Sequence, residues 1–384
     1  MQMRIKHWDI PPNRRVLVTS DIHGHLTLFR QLLEKGRYAE DDILIIVGDI
    51  VEKGPDSLGT LRYIMELCQQ RTVWLLAGNV DMWRIQMMES LTEATAQDMY
   101  TYLLKMRRWK GTSLFDEMAG ELGLSIQSPR DVAAAKAPII QAFQAEFEFL
   151  RSRPTILETQ QYIFVHGGLP SQNMEALRDR DAHEVLKFDH FMSTGLCFDK
   201  YVVVGHWPVT LYSNRVAQAN PIINTEQRII SIDGGCGIKR DGQLNMLVIP
   251  NSVCRDADEL SFFSCDALSV HEAQTSQEES RTSIHIHWGD NAIRILERGE
   301  MRSYVEHVSS GYRLWMENVC IREDSGKTVC EDYTDYRLPV RPGDQLSLIR
   351  STGSDYLVKK DGVTGWYRGQ LKTIEGSGKL PSMP

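Results

Sequence analysis

The 384-residue chain is 42% hydrophobic and 24% charged with a formal net charge of −8, ordinary values for a folded globular protein with material for more than one core. The acidic balance argues against a dedicated nucleic-acid binder, which carries a basic face, and there is no run of about 18 apolar residues to span a membrane. Seven cysteines, an odd number with no CxxC pair, argue against a paired-cysteine zinc site. The stretch MQMRIKHWDIPPNRR lacks the apolar segment of a signal peptide, so a cytoplasmic protein with reduced thiols is expected.

The first part alternates strand-like and helical patterns. RVLVTS (15–20) reads as a strand and HLTLFRQLLEKG (25–36) as a helix closed by glycine. DILIIVGD (42–49) is a continuous apolar run, as expected of a strand buried on both faces. A helical stretch at 56–70 and a third strand, TVWLLAGN (72–79), complete a β-α-β-α-β rhythm that predicts a layered α/β domain. Residues 81 to 153 read mostly as helices. Strands return at 162–168, 201–206 and 228–235, with LNMLVIP (244–250) as the last core strand. The polar stretch HEAQTSQEESRT (271–282) reads as a loop or linker. Short strand patterns and turns such as Pro342-Gly343-Asp344 then predict a small all-β module near the C-terminus.

The chemistry gathers where strands end. The first strand leads to Asp21 and His23, the second to Gly48-Asp49 and the third to Gly78-Asn79; later strands lead to His166-Gly167-Gly168 and Gly205-His206. Ligands of α/β sheets bind beyond the carboxyl ends of strands, so residues distant in sequence can meet there. Carboxylate, amide oxygen and imidazole suit Mn, Fe or Zn. A carboxylate can bridge two cations, and a pair roughly 3.5–4 Å apart activates a bridging water for in-line attack at phosphorus.

Five segments occur in order: Asp-Ile-His-Gly (21–24), Gly-Asp-Ile-Val-Glu-Lys-Gly (48–54), Gly-Asn (78–79), His-Gly-Gly-Leu-Pro (166–170) and Gly-His-Trp-Pro-Val (205–209). Together they resemble the calcineurin-like metallophosphoesterases, especially the bacterial phosphoprotein-phosphatase branch that includes symmetrical diadenosine tetraphosphate hydrolases. Ile-Asp-Gly-Gly-Cys-Gly (232–237) looks like the closing strand and turn. The resemblance implies an α/β fold, a four-layer β-sandwich flanked by helices rather than a doubly wound sheet. It implies that Asp21 and His23 hold one divalent ion, that Asp49 bridges, and that Asn79, His166 and His206 hold the second. Manganese is the first choice, with Fe, Zn or Mg compatible. The expected division is a catalytic domain over 1–250, a linker with extra strands over 251–300, and a small all-β module over 301–376, whose stretch SDYLVKKDGVTGWYRGQL weakly resembles bacterial SH3-like domains.

Departures from the family pattern bear on mechanism. Glu52 and Lys53 stand where the family has Asp and Arg, and Val80 stands where it has the His that protonates the leaving group. No arginine follows the His-Gly-Gly motif at Leu186-Lys187-Phe188-Asp189; Arg178 or Arg180 is the available substitute. Lysine offers phosphate a point charge instead of a bidentate fork. His25, Glu52, Asp81 and His183 are candidates to replace the missing acid, with Lys53 meeting phosphate. Without that acid, the expected substrates are activated esters, diesters or anhydrides, including dinucleoside polyphosphates, over serine phosphate. The alternative is a weakly active metal-binding regulatory module. His285 and His287 share a strand face and are expected in solvent; Arg107-Arg108, Arg151 and Arg153 are expected on helix surfaces. Trp366 and Tyr367 are expected in the core of the C-terminal module, and would imply a protein or peptide ligand if exposed.

Overall fold

The computed structural model describes residues 1–353 and 355–374, so residues 354, 375 and 376 of the expected C-terminal module lie outside the described residues. The chain forms two compact units: Met1–Pro208 with Asn220–Asp266, and Val209–Ala219 with the chain from Ala267 onward. The first unit thus runs past residue 250 to Asp266, and the strip directly after His206-Trp207-Pro208 belongs to the second unit.

In chain order the first part holds β1 (Ile5–His7), β2 (Val16–Thr19), α1 (Leu26–Lys35), β3 (Ile43–Ile46), α2 (Ser57–Gln70) and β4 (Val73–Leu75). A helical block follows: α3 (Asn79–Glu89), α4 (Ala96–Lys110), α5 (Leu114–Glu121), α6 (Pro129–Ala142) and α7 (Gln144–Arg151). Then come β5 (Ile156–Glu158), β6 (Tyr162–Val165), the short α8 (Met174–Leu177) and α9 (His183–Leu186), and β7 (Tyr201–Val204). After β8 (Ala217–Gln218), which belongs to the second unit, β9 (Ile222–Asn224), β10 (Ile229–Ser231), β11 (Leu244–Ile249) and β12 (Ser261–Cys265) complete the first.

The first unit is built on two sheets, ordered β1-β5-β6-β7-β10-β9 and β12-β11-β2-β3-β4. Strand alternation explains how they stack. Val16, Val18, Ile43 and Ile45 of one sheet share a core with Tyr162, Phe164, Tyr201, Val203 and Ile230 of the other. The opposite faces carry Leu17, Leu44 and Ile46 against the α1–α7 helices, and Ile163, Val165, Val202 and Val204 against the α8–α9 region. The result is helix, sheet, sheet, helix, the expected four-layer sandwich. Burial on both faces is why the strand sequences are unbroken apolar runs.

Helix ends are set locally. Asp56 caps α2 by accepting from Gly59 N, Ser113 caps α5 by accepting from Asp116 N, and Gly111 ends α4 at φ 83°. The pairs β2–β3, β3–β4, β6–β7 and β7–β10 are all parallel, so the loops after these strands emerge at carboxyl ends.

The second unit is all β among its described strands. Its largest sheet is ordered Leu371–Thr373, Ser269–Ala273, Gln345–Thr352, Asp355–Lys360, Val363–Tyr367 and β8. Two sequence expectations change here. The linker reading of 271–282 gives way at its start, since Ser269–Ala273 pairs with strands on both sides. His285 and His287 are buried rather than solvated, because the 213–214 segment closes over them: His285 Nδ1 bonds Ser213 O at 2.8 Å, and His287 Nε2 bonds Asn214 Oδ1 at 2.8 Å. Trp366 and Tyr367 are buried as expected, and the Trp366 indole N–H donates to Thr334 O at 2.7 Å.

Candidate metal centre

The turns after β2 and β3 are joined by backbone hydrogen bonds. Asp21 N donates to Gly48 O at 3.0 Å, His23 N to Asp49 O at 3.0 Å and Gly24 N to Ile50 O at 2.8 Å. Asp21, His23, Asp49 and His206 all adopt left-handed backbone, with φ of 52°, 49°, 53° and 65°. Non-glycine residues held there carry strain that the surrounding bonds must enforce, and such residues cluster at functional sites. Two glycines let the loops meet: a Cβ on Gly78 would lie 2.2 Å from Asp49 Oδ1, and one on Gly48 would lie 2.6 Å from Gly78 Cα.

The six predicted residues are thereby brought together, with Asp49 at the middle of the set. Asp49 Oδ1 accepts from Val80 N at 2.8 Å, which leaves Oδ2 free to face two groups. On one side it lies 3.8 Å from His23 Nε2, itself 3.8 Å from Asp21 Oδ1. On the other it lies 3.4 Å from His166 Nε2. Asn79, the first residue of α3, places Oδ1 2.9 Å from His166 Nε2 and 2.8 Å from His206 Nδ1. Asp21, His23 and Asp49 are all buried, with ligand atoms within 4.8 Å of one another.

The protons on the imidazoles test whether a cation fits. His166 Nδ1 lies 2.7 Å from Val47 O, and His23 Nδ1 lies 3.2 Å from Val51 O. A carbonyl only accepts, so each Nδ1 carries hydrogen and each neutral ring turns its Nε2 lone pair inward. His206 Nε2 lies 2.7 Å from the Asp189 carboxylate, which likewise leaves Nδ1 to face Asn79 Oδ1. Lone pairs and carboxylate oxygens therefore converge on two points that share Asp49, and buried Asp21 Oδ1 has no hydrogen-bond partner. Such a set fits two divalent ions of the oxygen- and nitrogen-loving kind.

The electrostatics fit the same view. Burial pushes the Asp21 carboxyl up to about 6. His166 rises to about 10, because Asp49 and Asp21 outweigh its burial. Burial opposes ionisation of Asp49 too, yet His166 and His23 hold it well below the usual carboxylate range. Burial and neighbouring His166 lower His206 to about 4, and burial with Lys53 lowers His23. Without a cation, protonated His166 is the positive charge that the carboxylates require, and metal uptake would displace that proton.

Of the other predicted residues, Lys53 points inward, with Nζ 3.2 Å from His23 Nε2. Asp81 accepts from Ile50 N at 2.9 Å and Val51 N at 3.2 Å, so it braces the Asp49 loop. Glu52 turns away: its carboxylate lies 2.6 Å from Arg84 Nε, an ionic contact rather than an aligned hydrogen bond, and accepts from Tyr102 OH at 3.1 Å. His25 lies near Gly237 and the Lys53 backbone, its ring lowered to about 4 by burial and Lys110. His183 is exposed on α9. Arg178 and Arg180 form surface pairs with Glu175 and Glu184.

Sequence reasoning missed Asp189, Asp233 and Arg84. Asp189 ends the Leu186-Lys187-Phe188-Asp189 stretch, where no arginine stands. Asp233, from the Ile-Asp-Gly-Gly segment, is fully buried, accepts from Gly235 N at 2.7 Å and has its pKa raised by burial and Asp21. Its place at the end of β10 was the available signal.

The calcineurin-like phosphoesterase family model matches residues 14–224, more than half of the chain. A serine/threonine-protein phosphatase 1 of Salmonella typhimurium is 30% identical over 96 residues, covering 20% of this chain and 42% of that protein. A symmetrical bis(5'-nucleosyl)-tetraphosphatase of Nitrosospira multiformis is 34% identical over 84 residues, covering 22% of this chain and 30% of its own length. The chain thus spans less than half the length of these curated relatives. A solved structure described as a putative diadenosine tetraphosphatase aligns with 68% of this chain and 98% of its own, at 17% identity and a TM-score of 0.43. On the strength of the 14–224 match, the chain belongs to the calcineurin-like phosphoesterase family.

Proposed function

We propose that the protein is a metal-dependent phosphoric ester hydrolase, with Asp21, His23, Asp49, Asn79, His166 and His206 holding two divalent ions. Bound there, manganese (or iron, zinc or magnesium) would supply an activated water and neutralise charge on phosphorus. The convergence of lone pairs on either side of Asp49 Oδ2 supports this reading. Val80 N and Asp81 hold the Asp49 loop, Asp189 fixes the His206 tautomer, and Lys53 meets a phosphoryl oxygen.

Substrate preference follows from what protonates the leaving group. Val80 has no transferable proton and Glu52 is engaged by Arg84, so no acid stands where the family places one; Asp81 accepts from two backbone amides through Oδ1 alone, and its buried Oδ2, with a pKa raised by burial, is the remaining candidate. Without an acid at position 80, activated esters, diesters and anhydrides, dinucleoside polyphosphates among them, whose leaving groups are stable anions, fit better than serine phosphate, whose alkoxide needs a proton. The odd cysteine count without paired spacing supports a reducing, cytoplasmic setting, and no described helix is long and apolar enough to cross a membrane. The C-terminal module keeps its SH3-like reading, without a protein or peptide ligand at Trp366 and Tyr367, which are core residues.

The test is turnover of a phosphoserine peptide, a diester and a dinucleoside polyphosphate with each of the four metals, with Asp49→Asn as control. Metal-dependent hydrolysis lost in the control is expected. Clear preference for the phosphopeptide would sink the leaving-group argument. Bound metal with no hydrolysis of any ester would favour a regulatory module.

A further inference from the structure

The solvent face of α3 begins at half-buried Asn79 and continues one turn later with Trp83, which is 53% exposed. Residues four apart share a helix face, and helical side chains lean toward the N-terminus. That lean would direct the Trp83 indole toward the turn that carries Asn79, whose Oδ1 faces His166 and His206. A lone exposed tryptophan on a surface needs no explanation, but this one is held in place. Tyr102 meets its ring edge-on at 6.1 Å, and the Arg84 guanidinium lies 5.1 Å from its centroid and 4.0 Å from that of Tyr102.

Arg84 and Tyr102 both anchor on Glu52, the residue before Lys53. The aromatic pair is thus tied to the centre from two sides, by the first turn of α3 and by the Asp49–Lys53 loop. Glu52 fixes Arg84 and Tyr102, the two side chains against which the Trp83 ring packs.

We propose that Trp83 is the stacking platform for an aromatic ring carried by the substrate, a nucleobase in the first instance, and so sets specificity; this rests on reading the site as a phosphoric ester hydrolase. Asn79 and Trp83 are four residues apart, about 6 Å along the helix axis, and a ribose would join a phosphate at the centre to a base on the indole. Lys53, whose Nζ lies 3.2 Å from His23 Nε2, would meet the phosphate end of the same substrate.

The experiment compares wild type, Trp83→Ala and Trp83→Phe with manganese on adenosine triphosphate, phenyl phosphate and inorganic tripolyphosphate. Base–aromatic stacking sets the expected rise in KM for the nucleotide in Trp83→Ala at roughly 5- to 100-fold. kcat and the tripolyphosphate KM stay unchanged, and Trp83→Phe recovers most of the loss. A rise confined to phenyl phosphate keeps the platform and assigns an aryl ester. Equal shifts on tripolyphosphate, or no shift on any substrate, overturn the proposal. Tryptophan fluorescence in the first seconds of mixing gives a readout independent of turnover. Quenching by the nucleotide that is lost in Trp83→Ala supports the platform even if no ester is hydrolysed; identical quenching in both proteins overturns it whatever the activity.

Discussion

Glu52 and Arg84 form an ion pair of 2.6 Å in which each side chain is only 1% exposed. It joins the Asp49–Lys53 loop to α3, and Tyr102 adds α4 through its hydroxyl. A buried pair is weak evidence of net stabilisation, but removing one partner leaves an uncompensated charge. Arg84→Met should therefore destabilise by about 3–5 kcal/mol, read from urea unfolding midpoints. Arg84→Met combined with Glu52→Gln should recover part of that loss. A single variant as stable as wild type would show that the pair carries no such burden.

The same pair bears on Val80. Placing histidine there restores the family's acid in name only, because Glu52 remains committed to Arg84. General acid catalysis is worth about 10²–10⁴-fold when the acid is positioned. Val80→His alone is expected to gain less than tenfold on a seryl phosphate peptide and nothing on an anhydride. A gain of a hundredfold or more in steady-state rate would refute the claim that Glu52 is unavailable.

Asp189 supplies the acceptor for His206 Nε2 at 2.7 Å, and residues in that position typically tune metal affinity by about 10- to 100-fold. Asp189→Ala should weaken binding of the second metal equivalent by that factor while leaving the first, on Asp21 and His23, near its wild-type value. Asp49→Asn should weaken both, since Asp49 Oδ2 faces both groups. Competition titration of manganese against a chelating dye separates the two patterns.

What was legible in the sequence had a one-to-one physical cause. Strands such as Ile43–Ile46 are apolar throughout because both faces are covered, and His166 and His206 follow strands whose carboxyl ends line one sheet. Other elements carried no such mark. β1 and β5 are three residues long, and β12 mixes serines with phenylalanines on the sheet edge beside β11. The role of Glu52 was illegible for another reason. A carboxylate beside Lys53 reads as catalytic until Arg84, on a separate helix, is seen to hold it. His285 and His287 misled through periodicity alone, since a distant segment closes over that face.

Glu117 offers a test of pH dependence away from the centre. From α5 its carboxylate accepts from Ser57 N at 3.1 Å and Leu58 N at 2.6 Å, closing the amino end of α2, and burial raises its pKa to about 7. A carboxyl whose folded pKa exceeds its unfolded value contributes stability below the unfolded value, near 4.5, and loses it as pH rises through about 7. Other carboxylates titrate in the same window, so the informative quantity is the difference between wild type and Glu117→Gln. Glutamine keeps an acceptor for one amide but cannot ionise. The variant should gain on wild type by about 1–3 kcal/mol between pH 5 and pH 8, measured as the change in unfolding free energy at each pH. A difference that is flat across that range would mean that Glu117 ionises normally, and that the two backbone amides of α2 offset its burial.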